Sequence, residues 1–199
     1  MTTFEEFKEI MKDNPRYKHS MGVVKMALKL NEYYHLGVDE EKIKLAGISH
    51  DITKNISNEE SLELLKKEYH GKLDPELLNA PQIWHAITGM ITVRDKYHIN
   101  DLEILNAIFY HTTGKPNMTN LEKLIFLSDF IEETRVGTQF EMVREIAFKN
   151  MDEAIVAMYE NEFSYIQSKN QTIYHLSLEA YNYYKKEVEN DWRHFKNIR

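Results

Sequence analysis

The sequence of 199 residues contains no cysteine. Disulfide bonds, metal sites with thiolate ligands and a cysteine nucleophile are therefore excluded. Any bound metal would have to be held by histidine nitrogen and carboxylate oxygen, and the chain has nine histidines for that purpose. Such ligands suit manganese, iron, nickel, cobalt or zinc.

Glycine and proline are also scarce, with seven and four residues. These few breakers separate segments with the apolar spacing of amphipathic helices, and the alternation typical of strands is missing. The sequence therefore predicts an all-α, orthogonal-type bundle of about nine or ten short helices. A chain of this length is expected to form one domain, residues 1–199.

The chain also lacks a hydrophobic run long enough to cross a membrane, and its N-terminal segment is acidic rather than signal-like. We therefore expect a cytoplasmic protein. Because 25 basic residues stand against 32 acidic residues, the formal net charge is -7, and a general nucleic-acid-binding surface is not expected. The basic, aromatic segment 192–199 is interpreted as a frayed chain end rather than a nucleic-acid contact.

Three histidines lie on helical faces that are otherwise apolar. His19 shares its face with Val23, and His50 shares one with Ala46, each at a spacing of four residues. His111 lies at the end of the apolar face of a third helix. A single inward histidine is more often a hydrogen-bonded core residue than a metal ligand, but the same orientation of all three favours a common site.

Two aspartates accompany these histidines. Asp51 follows His50 at a helix end, and Asp129 lies inside the apolar pattern "LEKLIFLSDFIEE". Burying an ionised carboxylate without a partner costs several kcal/mol, roughly the net stability of a domain, so Asp129 needs a cation or a bond to an arginine or a helix end. His85 has small, weakly polar neighbours, which suit a ligand pocket and a solvent-facing surface equally well.

These residues follow the order H…HD…D, and longer segments around them are more specific: "RYKHSMGV" at 16–23, "HDITK" at 50–54, "WHAITG" at 84–89 and "YHTTGKPNMTNLEKLIFLSDFIEETR" at 110–135. In these segments, across nearly the whole chain, the sequence resembles the YqeK-type branch of the HD-domain metal-dependent phosphohydrolases. It departs from the pattern of that branch at Ser128 and Glu133, where typical members have alanine and proline.

The resemblance implies symmetrical cleavage of diadenosine tetraphosphate to two ADP by a metal-bridging hydroxide, on two divalent transition metal ions that are usually iron. It implies these metal ligands, with Asp51 bridging the two ions: His19, His50, Asp51 and Asp129 on one ion, and His85 and His111 on the other. Three alternatives remain open: a nucleotidase or triphosphohydrolase for mononucleotides, a non-catalytic metal-dependent nucleotide sensor, and a structural helical adaptor without metal.

Two basic residues join Asp51 as expected catalytic residues. Lys54 lies one turn after Asp51, where its ammonium could reach a phosphate oxygen or the leaving group, although it could instead simply complement a helix C-terminus. Arg135 offers a five-donor fork suited to polyphosphate, the alternative being an exposed pair with Glu132 or Glu133. Besides Lys54 and Arg135, the expected substrate-binding residues are Arg16, Thr112, Thr113 and Gly114.

Two of these predictions have structural alternatives, and the assembly state is open. Arg16 could stack on a base or merely anchor the start of a helix, and Gly114 could serve only as a helix stop. Aromatic residues expected on the surface of the C-terminal helices suggest a homodimer.

Overall fold

The structure, a computed structural model, describes the backbone of residues 2–197 and the side chains of residues 2–191. The described backbone forms eleven α-helices and a short 3₁₀ helix, with no strand. The helices are α1 Phe4–Met11, α2 Tyr17–Tyr33, α3 Glu40–Ser49, α4 Asn58–Glu68, α5 Pro75–Leu78, the 3₁₀ helix Pro81–Ile83, α6 Trp84–Asp95, α7 Leu102–Phe109, α8 Asn120–Ile131, α9 Thr138–Ala147, α10 Met151–Ser168 and α11 His175–Asn197. The interpretation of segment 192–199 lies outside the described side chains.

The all-α prediction is confirmed, and the expected number of nine or ten helices is slightly too low. The additional helix is α5, a single turn in which the side chain of Asp74 caps the N-terminus and Pro75 lies in the first turn. In the sequence Pro75 indicates only a boundary between helices. Four residues are too few to carry a recognisable helical period.

Side-chain caps fix the start of the helices that lead to the polar cluster described below. The carboxylate of Asp39 accepts from two backbone N–H groups of α3. Ser57 with Glu60 and Thr119 with Glu122 form capping boxes at the starts of α4 and α8, and their spacing of three residues is visible in the sequence. A cap of this kind is typically worth about 1 kcal/mol, because it satisfies donors that the helix itself leaves unpaired.

The main hydrophobic core lies where α2, α3, α7 and α8 pack against one another. Leu30, Ile48, Ile108 and Phe126 are fully buried there, one from each of these helices. On the far side of α8, α10 packs against α8, α9 and α11 and buries Tyr159. The second side of the core is therefore closed by the C-terminal helices.

A smaller hydrophobic cluster joins α4, α5 and α6. Leu65, Leu77 and Trp84 are buried in it, and the indole N–H of Trp84 donates to the carbonyl of Leu77 at 2.7 Å. This contact holds the start of α6, which carries His85. Among the described helices, none combines the length and the apolarity that crossing a bilayer requires.

Candidate metal centre and substrate site

The six residues expected to bind metal lie together at one place in the fold. They come from the starts of α2 and α6, the ends of α3 and α8, and the residues just after α7. From the sequence, a pocket and the solvent-facing surface were equally good places for His85. In the structure it is buried with the other five residues and is 7% exposed. Two sets of side chains have ligand atoms within 4.8 Å of one another: His19, His50 and Asp129, and His50, Asp51 and His111.

Asp51 lies in the middle of the cluster, with one carboxylate oxygen towards each side. Its Oδ2 is 3.5 Å from Nε2 of His50 and 3.8 Å from Nε2 of His19. Its Oδ1 is 3.3 Å from Nε2 of His85 and 3.5 Å from Nε2 of His111. This two-sided arrangement is the geometry that a bridging carboxylate requires.

Hydrogen bonds on the outer side of the imidazole rings orient their inner nitrogens. Nδ1 of His50 lies 2.7 Å from the carbonyl oxygen of Gly47, and Nδ1 of His111 lies 2.6 Å from that of Ile108. A carbonyl only accepts, so each Nδ1 carries the proton and donates. Nε2 of each ring is therefore directed into the cluster, and in the neutral ring it carries the lone pair that a metal ligand requires.

Glu132 orients His19 in the same manner, and the sequence analysis missed it. Its Oε1 lies 3.1 Å from Nδ1 of His19, and its Oε2 accepts from the backbone N–H of Thr134 at 2.7 Å. The alternative of an exposed pair between Glu132 and Arg135 was wrong, since Glu132 is fully buried. It fits because Gly22 has no side chain: a Cβ there would lie 2.3 Å from Oε2.

The buried groups of the cluster shift one another's pKa values. Burial acts to lower the pKa of His50, but the negative charges of Asp51 and Asp129 outweigh it and raise that pKa. Burial acts to raise the pKa of Asp51, but the charge of His50 and hydrogen bonds from the surrounding histidines lower it well below its usual range. Burial also opposes ionisation of Asp129, but the adjacent His19 ring and the charge of His50 outweigh burial and lower that pKa. Burial lowers the pKa of His85 to about 4. At neutral pH the two carboxylates are ionised and the His85 ring is neutral.

Several inward-facing atoms fit a bound cation. Nε2 of His19, Nε2 of His50 and Oδ1 of Asp51 are buried without a hydrogen-bond partner among the described residues. Nε2 of His19 is also 2.8 Å from Oδ1 of Asp129, and two acceptors this close need a proton or a cation between them. Nitrogen and carboxylate donors without thiolate suit a divalent transition metal, so the residues present fit such an ion.

Three cationic side chains border the cluster. Two guanidinium nitrogens of Arg16 lie 2.7 and 2.6 Å from Oδ2 of Asp51, and one of Arg135 lies 3.1 Å from Oδ1 of Asp129. The ammonium of Lys54 lies 2.9 Å from Nε2 of His85. Lys54 as a whole residue is exposed, but burial of its ammonium lowers its pKa. The local positive charge that a polyanion needs is therefore present despite the negative net charge.

The turn after α7 packs against α10. Gly114 adopts a φ of 61°, and the hydroxyl of Tyr159 donates to the carbonyl of Thr113 at 2.8 Å. Thr113 is buried, and its hydroxyl donates to the carbonyl of Gly114. These contacts describe a helix stop. Contact of Thr112, Thr113 and Gly114 with a substrate stays a prediction.

A cavity of about 560 Å³ opens beside the cluster, between α8, α9 and α10. Asp129 and Arg135 line its inner end, so the cluster and the cavity share residues. Side chains further out are aromatic or polar and include Phe130, Phe140 and Glu162. The volume falls within the roughly 300–1,000 Å³ typical of small-molecule sites.

The HD domain family model matches residues 16–134, a range that contains all six clustered residues. The chain belongs to the HD-domain family. Within that family it is similar to proteins from Bacillus subtilis and Halalkalibacterium halodurans, each named "Bis(5'-nucleosyl)-tetraphosphatase, symmetrical". The former is 34% identical over 84% of this chain and 88% of the relative. The latter is 38% identical over 84% of this chain and 87% of the relative.

A crystal structure from Clostridium acetobutylicum shares the HD-type fold. It is described as a predicted HD superfamily hydrolase involved in NAD metabolism. The two structures agree with a TM-score of 0.81 at 29% sequence identity, over 92% of this chain and 96% of that one. The resemblance inferred from the sequence, including its HD-type bundle, is thereby confirmed.

Proposed function

We propose that this protein hydrolyses dinucleoside polyphosphates and cleaves diadenosine tetraphosphate symmetrically, with one water, to two molecules of ADP. The observation that carries the proposal is the similarity over most of the chain to symmetrical bis(5'-nucleosyl)-tetraphosphatases. The arrangement of Asp51 between two groups of histidines agrees with it, since it supplies ligands for a pair of ions. Neither alternative within the family has a specific observation in its favour.

The cluster would hold two divalent transition metal ions, of which iron is our first choice and manganese, cobalt, nickel and zinc are alternatives. His19, His50 and Asp129 with Oδ2 of Asp51 would hold one ion. His85 and His111 with Oδ1 of Asp51 would hold the other. When bound, such a pair lowers the pKa of water and neutralises charge on the phosphoryl and leaving oxygens.

The chain's own residues account for the remaining requirements. Asp51 sets the positions of the two ligand groups relative to each other, and Glu132 fixes the ring of His19 as a positioning residue. Lys54, Arg135 and Arg16 supply positive charge where the tetraphosphate would lie, with the guanidinium forks suited to paired phosphate oxygens. The contacts of these residues with the cluster support these roles.

Product analysis tests the proposed reaction. We expect ADP as the sole nucleotide product when the purified protein is incubated with diadenosine tetraphosphate and the products are separated by ion-exchange chromatography. Formation of ATP and AMP would contradict symmetrical cleavage. Hydrolysis of mononucleotides without cleavage of diadenosine tetraphosphate would favour a nucleotidase, and binding without turnover would favour a sensor.

Metal analysis tests the proposed centre separately. We expect about two transition metal ions per chain, chiefly iron, by elemental analysis of anaerobically purified protein. Protein without metal that still cleaves diadenosine tetraphosphate in the presence of a chelator would contradict the metal-dependent part of the proposal.

A further inference from the structure

The cavity beside the cluster has two chemically different ends. Its inner end is formed by Asp129 and Arg135. Its outer part has apolar and aromatic walls from Phe130, Phe140 and Tyr165, with polar groups between them. A ligand with a polyanionic part and a flat, heteroaromatic part matches this division.

We propose that this cavity binds one adenosine of the dinucleoside substrate and that Glu162 hydrogen-bonds the edge of its adenine ring. The inference rests on the proposed function, because that function places the phosphate chain at the cluster. Arg135 and Asp129 belong both to the cluster and to the cavity wall. A phosphate chain at the cluster would therefore place one of its two nucleosides in the adjoining cavity.

The aromatic walls are arranged to receive a flat base. The rings of Phe130 and Phe140 lie 4.9 Å apart between centroids and are inclined by 55°, so they form a corner rather than a stack. Tyr165 is 63% exposed and lines the same cavity. Stacking on aromatic side chains is a common way of binding nucleobases and is worth about 1–3 kcal/mol per base by alanine substitution in single-strand-binding proteins.

Arg135 connects the two ends of the cavity. Its guanidinium carbon lies 5.7 Å from the ring centroid of Phe140, and one of its terminal nitrogens contacts Asp129. Its Nε is buried without a hydrogen-bond partner in the described part of the chain. An unused donor at the junction is well placed for an oxygen of the phosphate next to the nucleoside.

Glu162 projects from α10 into the cavity and has no hydrogen bond or ion pair among the described side chains. A group with no partner of its own is available to a ligand. Asn161 is different, because its Nδ2 donates to the carbonyl of Ala157, which fixes the amide and leaves Oδ1 as an acceptor. Of the two polar side chains that α10 places side by side in the cavity, the Asn161 amide is therefore fixed and the Glu162 carboxyl is free.

The protonation state of Glu162 agrees with this role. Burial raises the pKa of its carboxyl to about 8, and the negative charge of Asp129 adds to that effect, whereas the charges of Arg135 and Lys54 act in the opposite direction. A protonated carboxyl offers one donor and one acceptor. Adenine presents an acceptor at N1 and a donor at its 6-amino group, so the two groups are complementary.

Calorimetric titration of the metal-loaded protein with ADP tests the inference. We expect Glu162→Ala to weaken ADP binding about tenfold or more, since two hydrogen bonds are lost. Glu162→Gln keeps a donor and an acceptor on a side chain of the same length, so its ADP affinity should stay within about threefold of that of the unaltered protein. Inorganic pyrophosphate, which has no base, should bind all three proteins equally.

Glu160→Ala provides a matched control on the same helix, because Glu160 is exposed and does not line the cavity. It should bind ADP as the unaltered protein does. The carboxyl of Glu162 lies in the cavity, but the residue as a whole is only half-buried, so the alanine variant is expected to fold, and its melting temperature checks this. Unchanged ADP affinity in Glu162→Ala, or an equal loss of pyrophosphate binding, would overturn the inference.

Failure of the inference and failure of the proposed function give different results. If diadenosine tetraphosphate is cleaved to ADP and Glu162→Ala changes neither its KM nor ADP affinity, the cavity assignment is wrong and the activity stands. If ADP binding depends on Glu162 as described and no ADP is formed from diadenosine tetraphosphate, the nucleoside site stands and the proposed activity is wrong.

Discussion

The missing side chain at Gly22 allows Glu132 to lie buried beside His19. Within a helix, glycine costs roughly 0.5–1 kcal/mol relative to alanine, so its presence in α2 has a local energetic cost. The space that it leaves is occupied by a carboxylate that fixes a candidate metal ligand. Two residues far apart in the sequence therefore act as one feature.

Gly22→Ala is expected to weaken metal binding about tenfold or more, because the added Cβ displaces Glu132 from His19 and partners outside the ligand set commonly contribute 10–100-fold to metal affinity. The measurement is a calorimetric metal titration of metal-free protein. In a Glu132→Ala background the same substitution should have little further effect. If the two substitutions instead lower the metal affinity additively, Gly22 affects metal binding independently of Glu132.

Asp51→Asn should lower kcat by about 100-fold or more and reduce bound metal below two ions per chain, because the amide keeps the shape of the side chain and loses the charge that two ions would share. Steady-state kinetics and elemental analysis provide the readouts. Asp95→Asn is the control, since Asp95 pairs with Arg94 on the surface. Activity of Asp51→Asn within tenfold of the unaltered protein would rule out the bridging role.

At this scale the sequence predicts orientation better than contact. Helical period alone directs His19, His50 and His111 inward, and each of them is buried. The same reasoning misses Glu132, because an acidic run just after a helix looks like solvated surface. Its burial depends on Gly22 in another helix, and no local pattern contains that information.

At the scale of elements, helix ends position the site. The connection between α8 and α9 carries Arg135, and the guanidinium of Arg144 holds it in place through three backbone carbonyls at 2.7–3.2 Å. These belong to Ile131, Glu132 and Arg135. The variant residue Glu133 is exposed in this connection, so its departure from the family pattern leaves the contacts of Arg144 intact.

Gly114, in the turn after α7, has a matched counterpart in Gly71, which follows α4. Gly114 and Gly71 both adopt positive φ, of 61° and 76°. A Cβ on Gly114 would lie 2.1 Å from the hydroxyl of Tyr159, whereas one on Gly71 would meet nothing within 4 Å. The two positions therefore share a backbone cost and differ in packing.

Gly71→Ala should lower the free energy of unfolding by about 1 kcal/mol, the cost of a left-handed residue with a side chain. Gly114→Ala should lower it by at least about 2 kcal/mol more, because the Tyr159 hydroxyl must also leave the carbonyl of Thr113. Denaturant unfolding measures both values. Equal losses of unfolding free energy in the two variants would mean that the turn adjusts to the added methyl group while Tyr159 keeps its hydrogen bond.

The start of a helix can be predicted from the sequence where a capping residue marks it, as at Asp39, Ser57 and Thr119. The interpretation was less complete at α5, which has one turn and is held through the contact between Trp84 and Leu77. Tertiary contact rather than local propensity stabilises such a segment. A single sequence does not contain that information in a recognisable pattern.

At the scale of the whole molecule, metal binding and stability are linked. Because an ion held by residues of several helices binds the folded chain and not the unfolded one, it stabilises by mass action, by about 2.7 kcal/mol at a free concentration of 100 times Kd. We expect a chelator to lower the melting temperature and added metal to restore it. The melting temperature of Asp51→Asn should change much less when metal is removed or added. A change as large as that of the unaltered protein would show that the stabilising ion is not bound by the cluster.

The fold class could be predicted from the spacing of apolar residues and the few breakers, because both are local properties. The closing of the core by α10 and α11 could not be predicted. Neither could the cavity, since Asp129, Phe140 and Glu162 line it only because three separate helices pack together. A homodimer stays a prediction.

The cluster joins parts of the chain that are far apart, and His19 and Glu132 are separated by 113 positions. Contacts between such distant segments form late, since the entropy of closing long loops must be overcome first. A chain leaving the ribosome has no complete ligand set until α8 has emerged and docked. Metal capture would then mark the end of folding rather than its nucleus, and prematurely ended chains would not sequester the ion.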